Sequence, residues 1–172
     1  GVINAITKSG TNEFHGWAGA YYTNSALNGE LWGSDRPFYQ ESWPGQFRTF
    51  ENDDLSRFEP GFGLGGPIAK DSLWFYVGYN PTLSSWSRTP YQDPAKPPVS
   101  TYDQDITSHY VTGNVKANLG SKLLMKLSAN LSPRKTEGVL PSRDGTTPTD
   151  TNLAINTEVP TQSYSLYADF VP

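Results

Sequence analysis

His15 and His109 are the only imidazoles in the 172 residues, and there is no cysteine to join either of them. A zinc site or a Cys–His nucleophile needs several nitrogen or sulfur groups converging on one point. Neither histidine has a second His or a Cys at ligand spacing, so no metal, cofactor or catalytic residue is assigned. Glu51, Asp53 and Asp54 form an acidic cluster of the kind calcium accepts. The cluster lacks the alternating oxygen positions of a dedicated calcium loop and reads as a solvated loop face. Ser, His and Asp all occur, but no nucleophile elbow orders them.

The residues best equipped for recognition are aromatic. Trp32, Tyr39, Trp43, Trp86 and Tyr91 lie in segments rich in turn formers, with Phe38, Phe47 and Phe50 among them. Rings in such places either stack on sugars and other flat ligands or pack a long loop against itself. Packing is the favoured reading, because loops of this length need small cores of their own. The five named residues stand as the candidate ligand contacts.

Such loops need a scaffold, and the composition narrows what it is. Aromatics make up 13% of the chain and argue against disorder, although the hydrophobic fraction is only 35%. A net charge of -4 with scattered Lys and Arg excludes a basic stripe for nucleic acid. The absence of cysteine suits an extracytoplasmic compartment such as the bacterial envelope. The longest apolar run, Leu73 to Val77, falls far short of the roughly 18 residues that a membrane helix requires. The chain opens directly in a strand-like run, Gly1 to Thr7, and reads as a cut.

Gly, Pro and β-branched residues interrupt every window long enough for a helical stripe, and a period of two dominates instead. In 122–131, Leu123, Met125, Leu127, Ala129 and Leu131 share one face, while Lys122, Lys126, Ser128 and Asn130 share the other. Only Leu124 breaks the alternation. In 105–119, Val111, Gly113, Val115, Ala117 and Leu119 oppose Tyr110, Thr112, Asn114, Lys116 and Asn118. Further strands are expected over 13–23, 56–67, 72–81 and 163–170, which makes about six after the opening run.

The connections alternate in length. Lys70-Asp71 and Gly120-Ser121 are short turns, whereas 24–55, 82–104 and 132–162 are long and rich in Pro, Gly, Ser, Asn and Asp. A compact soluble domain seldom carries three such loops. Antiparallel up-and-down strands of an outer-membrane β-barrel do, with short turns at one end and long loops at the other. An all-β barrel wall also explains the low hydrophobicity, because only its outward face must be apolar. Tyr21, Tyr22, Trp74, Tyr76, Tyr79 and Tyr167, near strand ends, are expected in interfacial girdles.

Two motifs carry a family resemblance. GVINAITKSGTNEFHG at the start, and GLGGPIAKDSLWFYVGY further on, resemble the plug-barrel junction and first barrel hairpin of TonB-dependent outer-membrane transporters, especially the Oar-like receptors. The resemblance implies a last plug strand and junction over 1–12, turning through Lys8, Ser9, Gly10, Thr11 and Asn12, and the N-terminal part of the barrel over 13–172. It covers about the first 80 residues well and is general barrel alternation beyond residue 82. Pro60 departs from the pattern, since a proline within a strand deletes a ladder hydrogen bond, and an edge, a bulge or a later strand start is expected there.

The implied function is energised uptake of a scarce nutrient, such as a chelated metal, glycan or peptide. The implied partners are outer-membrane lipid and a periplasmic energy-coupling protein that acts through other parts of the receptor. About six strands cannot close a barrel when the smallest bacterial ones have about 8, so the remaining barrel strands or identical chains are also partners. Two rivals stand beside this reading. One is a structural subunit of an extracellular surface filament completed by strand exchange, with Val2 to Thr7 and Tyr164 to Phe170 pairing outward. The other is a soluble carbohydrate-binding β-sandwich.

Overall fold

The computed structural model describes residues 8–27, 38–40, 46–48, 52–90, 100–120, 122–143 and 156–170. In chain order the strands are β1 (His15–Asn24), β2 (Phe38–Gln40), β3 (Gln46–Arg48), β4 (Asp54–Ala69), β5 (Leu73–Tyr79), β6 (Thr82–Arg88), β7 (Tyr102–Ser108), β8 (Val111–Leu119), β9 (Leu123–Leu131), β10 (Arg134–Glu137), β11 (Thr157–Val159) and β12 (Gln162–Phe170). Apart from the small β2-β3 pair, these strands form one ten-stranded antiparallel sheet. It is a curled half-barrel, with no second sheet packed face to face against it among the described residues. That architecture does not fit the soluble sandwich.

The ten strands resolve into long staves, because several are collinear. β5 and β6 both pair with β4, and the register that ends at Phe62 opposite Tyr79 resumes in step at Phe58 opposite Leu83. The same continuity joins β7 to β8, β9 to β10 and β11 to β12. The staves run β1, β4, β5-β6, β7-β8, β9-β10 and β11-β12, each beside the next in sequence, which is the up-and-down order expected. Short turns join them at one end. At Asp71 the backbone takes a φ of 62° and at Gly120 a φ of 72°, the left-handed geometry that reverses a chain within a few residues.

The staves run further than the alternation suggested. Thr82–Arg88, the start of β7, Arg134–Glu137 and Thr157–Val159 are paired strand inside segments expected to be loops, and β2-β3 lies within 24–55. The prolines at 81, 133 and 160 imitate loop boundaries, yet each occupies a place where the ladder is interrupted and then resumes. Pro60 is neither at an edge nor at a bulge, since β4 pairs with β1 on one side and with β5 and β6 on the other. The one irregularity of β4 lies between Pro67 and Ala69.

Polarity is inside out relative to a soluble protein. Leu64, Ile68, Leu127 and Leu166 are 44%, 59%, 54% and 67% exposed, whereas Ser84, Ser108, Asn114 and Ser128 are buried. Register explains this pattern. Cross-strand partners share a face, so Leu64, Val77, Gly113, Ala129 and Tyr164 line up outward. Gly65, Tyr76, Asn114, Ser128 and Ser165 line up on the inner, concave face. Val111, Val115, Leu123, Met125 and Leu127 fall outward, with Asn114, Lys116 and Lys126 inward, as the period of two requires.

Two aromatic expectations change. Trp74 and Tyr76 are the buried hydrophobic residues of the inner face and belong to no girdle. Tyr21 and Tyr167 also lie on the inner side by register, which leaves Tyr22 and Tyr79 outward. A ring on the inner face of a barrel wall fills the lumen and never meets lipid headgroups.

Candidate functional site

The inner face carries two groups of side chains, one near the short turns and one near the long loops. The first holds the segment Lys8 to Asn12, which lies across the inner surface of β4, β5 and β8. Asn12 anchors it. Its Oδ1 accepts hydrogen bonds from the Asp71 backbone N–H at 2.9 Å and from Trp74 Nε1 at 2.7 Å, and its Nδ2 donates to Asp71 Oδ1 at 2.6 Å. At the other end Asn114 Nδ2 donates to the carbonyl of Lys8 at 2.6 Å. Between them Gly10 passes so close to the sheet that a Cβ there would collide with the carbonyls of Phe75 and Gly66. Only glycine fits so tight an approach.

The wall beneath is shaped to receive this segment. Gly61, Gly63 and Gly65 alternate along the inner face of β4, leaving a trough that Trp17 crosses. Trp17 Nε1 donates to the Tyr76 hydroxyl at 3.2 Å, and a Cβ on Gly63 would strike both groups. Lys8 Nζ stands 5.7 Å from the Trp17 ring and Lys116 Nζ 5.4 Å from the Trp74 ring. Both distances suit a cation–π contact. Lys116 sits directly opposite Lys126, and the Trp74 contact offsets part of the repulsion of two like charges on adjacent strands.

The second group lies near the long loops. Asp53 is almost wholly buried and gripped by two arginines. Arg88 binds both of its oxygens, Nε to Oδ1 at 2.7 Å and Nη2 to Oδ2 at 2.6 Å, while Arg143 Nη2 reaches Oδ2 at 2.8 Å. Burial by itself raises the affinity of this carboxylate for a proton, but the hydrogen bonds from Arg88 and Arg143 outweigh it and hold the group below the usual carboxylate range. Arg88 also donates to the carbonyl of Pro141 at 2.6 Å, tying β6 to the segment after β10. The acidic cluster therefore divides. Asp53 is a clamp and not a solvated face, Asp54 is exposed, and Glu51 lies outside the described residues.

Beside the clamp is a concavity of about 540 Å³ whose lining includes Arg57, Glu59, Trp86, Gln104, Tyr110 and Arg134. Arg57 Nε donates to Ser84 Oγ at 3.2 Å, and Thr82 Oγ1 donates to Glu59 at 3.1 Å. Of the five candidate ligand contacts, Trp86 is here, on strand β6 and facing inward, not on a loop. Tyr39 is on β2. Trp32, Trp43 and Tyr91 lie outside the described residues, as do residues 1–7 of the expected plug strand. Arg57, Arg88 and Arg143 were not singled out from sequence, and Asp53 was read only as part of a solvated acidic cluster, since a carboxylate among loop residues gives no sign of a partner 35 positions away.

A wall that is apolar outward, polar inward and fastened to its own N-terminal segment calls for comparison with known proteins. The family described as outer membrane beta barrel domain matches residues 6–97, more than half of the chain. The chain belongs to that family. It is also similar to the TonB-dependent transporter Oar of Myxococcus xanthus, at 40% identity over 89 residues, which is 52% of this chain and 8% of that protein. The chain thus spans less than a tenth of the length of the relative it matches. No solved structure matches it. The barrel domain places the protein in the bacterial outer membrane, so its outward Leu, Val and Phe residues face lipid and its inner face lines the lumen.

Proposed function

We propose that this chain supplies the plug-barrel junction and the first barrel staves of a TonB-dependent receptor that takes up a scarce nutrient with energy delivered from the periplasm. The observation that carries the reading is the seating of Lys8 to Asn12 on the lumen wall. A chain that merely entered a barrel would have no need to cross its inner face first. Asn12, bonded to Asp71 and Trp74, ties the segment to the short turn, at the periplasmic end where an energy-coupling partner acts. In this reading residues 1–12 are the end of a plug and residues 13–172 the first part of the barrel, with further staves pairing onto β1 and β12.

The nutrient is a chelated metal, a glycan or a peptide. Trp86, with Arg57 and Arg134 on the lumen wall, is where such a ligand meets the barrel in this proposal, with Trp32, Tyr39, Trp43 and Tyr91 as its further proposed contacts. The experiment is genetic. Cells lacking the full-length receptor and cells lacking the energy-coupling protein are grown on arrays of iron chelates, glycans and peptides as limiting nutrients. A growth defect shared by the two strains on one nutrient class is expected. A receptor-dependent defect that ignores the energy-coupling gene overturns the proposal.

A further inference from the structure

Four prolines fall in one row across the sheet. The registers on either side place Pro60 opposite Pro81, Pro81 opposite His109, His109 opposite Pro133 and Pro133 opposite Pro160. Asn80 and Tyr110 exchange both backbone bonds, at 2.8 and 3.2 Å. In an antiparallel ladder the next residue faces the other way, so the backbone of Pro81 faces β4, where its partner Pro60 has no N–H either. Both bonds of that pair are missing. His109 N donates to the carbonyl of Pro133 at 2.9 Å, but Pro133 cannot reply. The carbonyls of Pro60, Pro81 and His109 therefore lack their ladder donors. In hydrocarbon each such group costs several kcal/mol unless water reaches it from the lumen side, so these breaks belong near the rim of the apolar band and not at its middle.

The outward side chains change character at the same level. Between the short turns and the row they are Leu73, Phe75, Val77 and Tyr79 on one stave, Val111, Gly113, Val115, Ala117 and Leu119 on the next, and Leu123, Met125, Leu127, Ala129 and Leu131 on the third. Beyond it they are Ser85, Ser87, Asp103, Asp105, Thr107, Lys135, Glu137 and Glu158. From Leu123 to Pro133 is about ten residues, which at 3.3 Å each and a tilt near 40° rises roughly 25 Å, the height of an outer-membrane apolar band. The change crosses the row obliquely. Tyr22, Phe58 and Leu83 are still apolar one step above it, whereas on the last stave Gln162 is already polar one step below. Tilted strands require such a drift of about one residue per strand for the edge to stay level with the membrane.

We infer that the hydrocarbon of the outer leaflet ends on this wall along the line Phe58, Leu83, Val111, Leu131 and Tyr164, and that the proline row, which this line crosses, gathers the breaks of the backbone ladder close to the waterline. The Phe62, Tyr79 and His109 rings meet there, with Tyr79 sharing a 2.7 Å hydrogen bond with His109 Nδ1, as suits side chains at headgroup depth. The inference needs only the barrel and is independent of what it transports.

The chain has no cysteine, so single-cysteine labels in the full-length protein, reconstituted in lipid vesicles, read depth directly. Labels at Val77 and Leu127 are expected to be quenched by nitroxides on acyl chains, and labels at Ser87 and Asp105 by aqueous iodide. The deciding pair is Leu83 and Lys135, which stand one step above the row on different staves. The oblique line predicts acyl quenching at Leu83 and iodide quenching at Lys135. Identical behaviour of the two, or acyl quenching at Ser87 equal to that at Val77, overturns the assignment. Heat-modifiable migration on gels verifies that each variant has folded. Hydrogen exchange on the unsubstituted protein supplies a second reading, in which amides of 73–79 and 111–119 are expected to exchange much more slowly than those of 82–88 and 102–108. Equal rates would also overturn it.

Discussion

The two halves of this wall, below and above the proline row, use the same strands and obey different rules. Below it, water is excluded on the lipid side, and the polar side chains beneath the N-terminal segment are set against specific partners, although the buried Asn114 Oδ1 has none. Asn12, Trp74, Tyr76 and the Nδ2 of Asn114 show this pairing. Above it, side chains of both signs are tolerated on both faces, and cohesion comes from one buried carboxylate held by two arginines. A strand of this wall is thus stabilised by exclusion of water at one end and by charge pairing at the other.

The largest effect expected from breaking this division is at Leu127, midway between the short turn and the waterline. Leu127→Arg should cost on the order of 2–4 kcal/mol in folding from denaturant into lipid. In the same assay Gly63→Val should cost about 1–3 kcal/mol, because the new side chain must displace Trp17 or Tyr76, and Trp17→Ala in the same chain should recover part of it.

Above the row, Asp53→Asn should cost roughly 1–2 kcal/mol, near the low end for hydrogen bonds to charged groups, since Arg143 is half-exposed. This effect has a pH signature. The folded carboxylate binds its proton less readily than the unfolded one, so the clamp's contribution is complete above about pH 4 and is lost as pH falls through the lowered folded value. Hydrogen exchange at 86–88 should rise over that acid range in the native protein and stay flat in Asp53→Asn. Ser85→Arg, outward like Leu127 but above the waterline, should change stability by less than about 1 kcal/mol. The smallest effect is expected of the lumenal Lys126→Gln, within about 0.5 kcal/mol. A Ser85→Arg cost as large as that of Leu127→Arg would erase the distinction between the two halves.

The facing of the strands was legible in the sequence. A period of two, once one face is apolar, settles which of Met125 and Lys126 meets lipid, because successive side chains of a strand cannot point the same way. The motifs around Lys8 to Asn12 and around Gly65 to Phe75 were equally plain, since close backbone approach and tight turns demand particular residues. Tertiary structure decided what depends on register. Pro60 and Pro81 are 21 positions apart, and nothing local says that they oppose each other. That follows from the turn at Asp71 and the irregularity between Pro67 and Ala69, which set the pairing of the whole hairpin. Asp53 beside the start of β4, Arg88 on β6 and Arg143 in the segment after β10 likewise meet only in the folded wall. A long side chain in a loop carries no record of the strand it will reach, since the energy that selects its partner appears only when both are withdrawn from water.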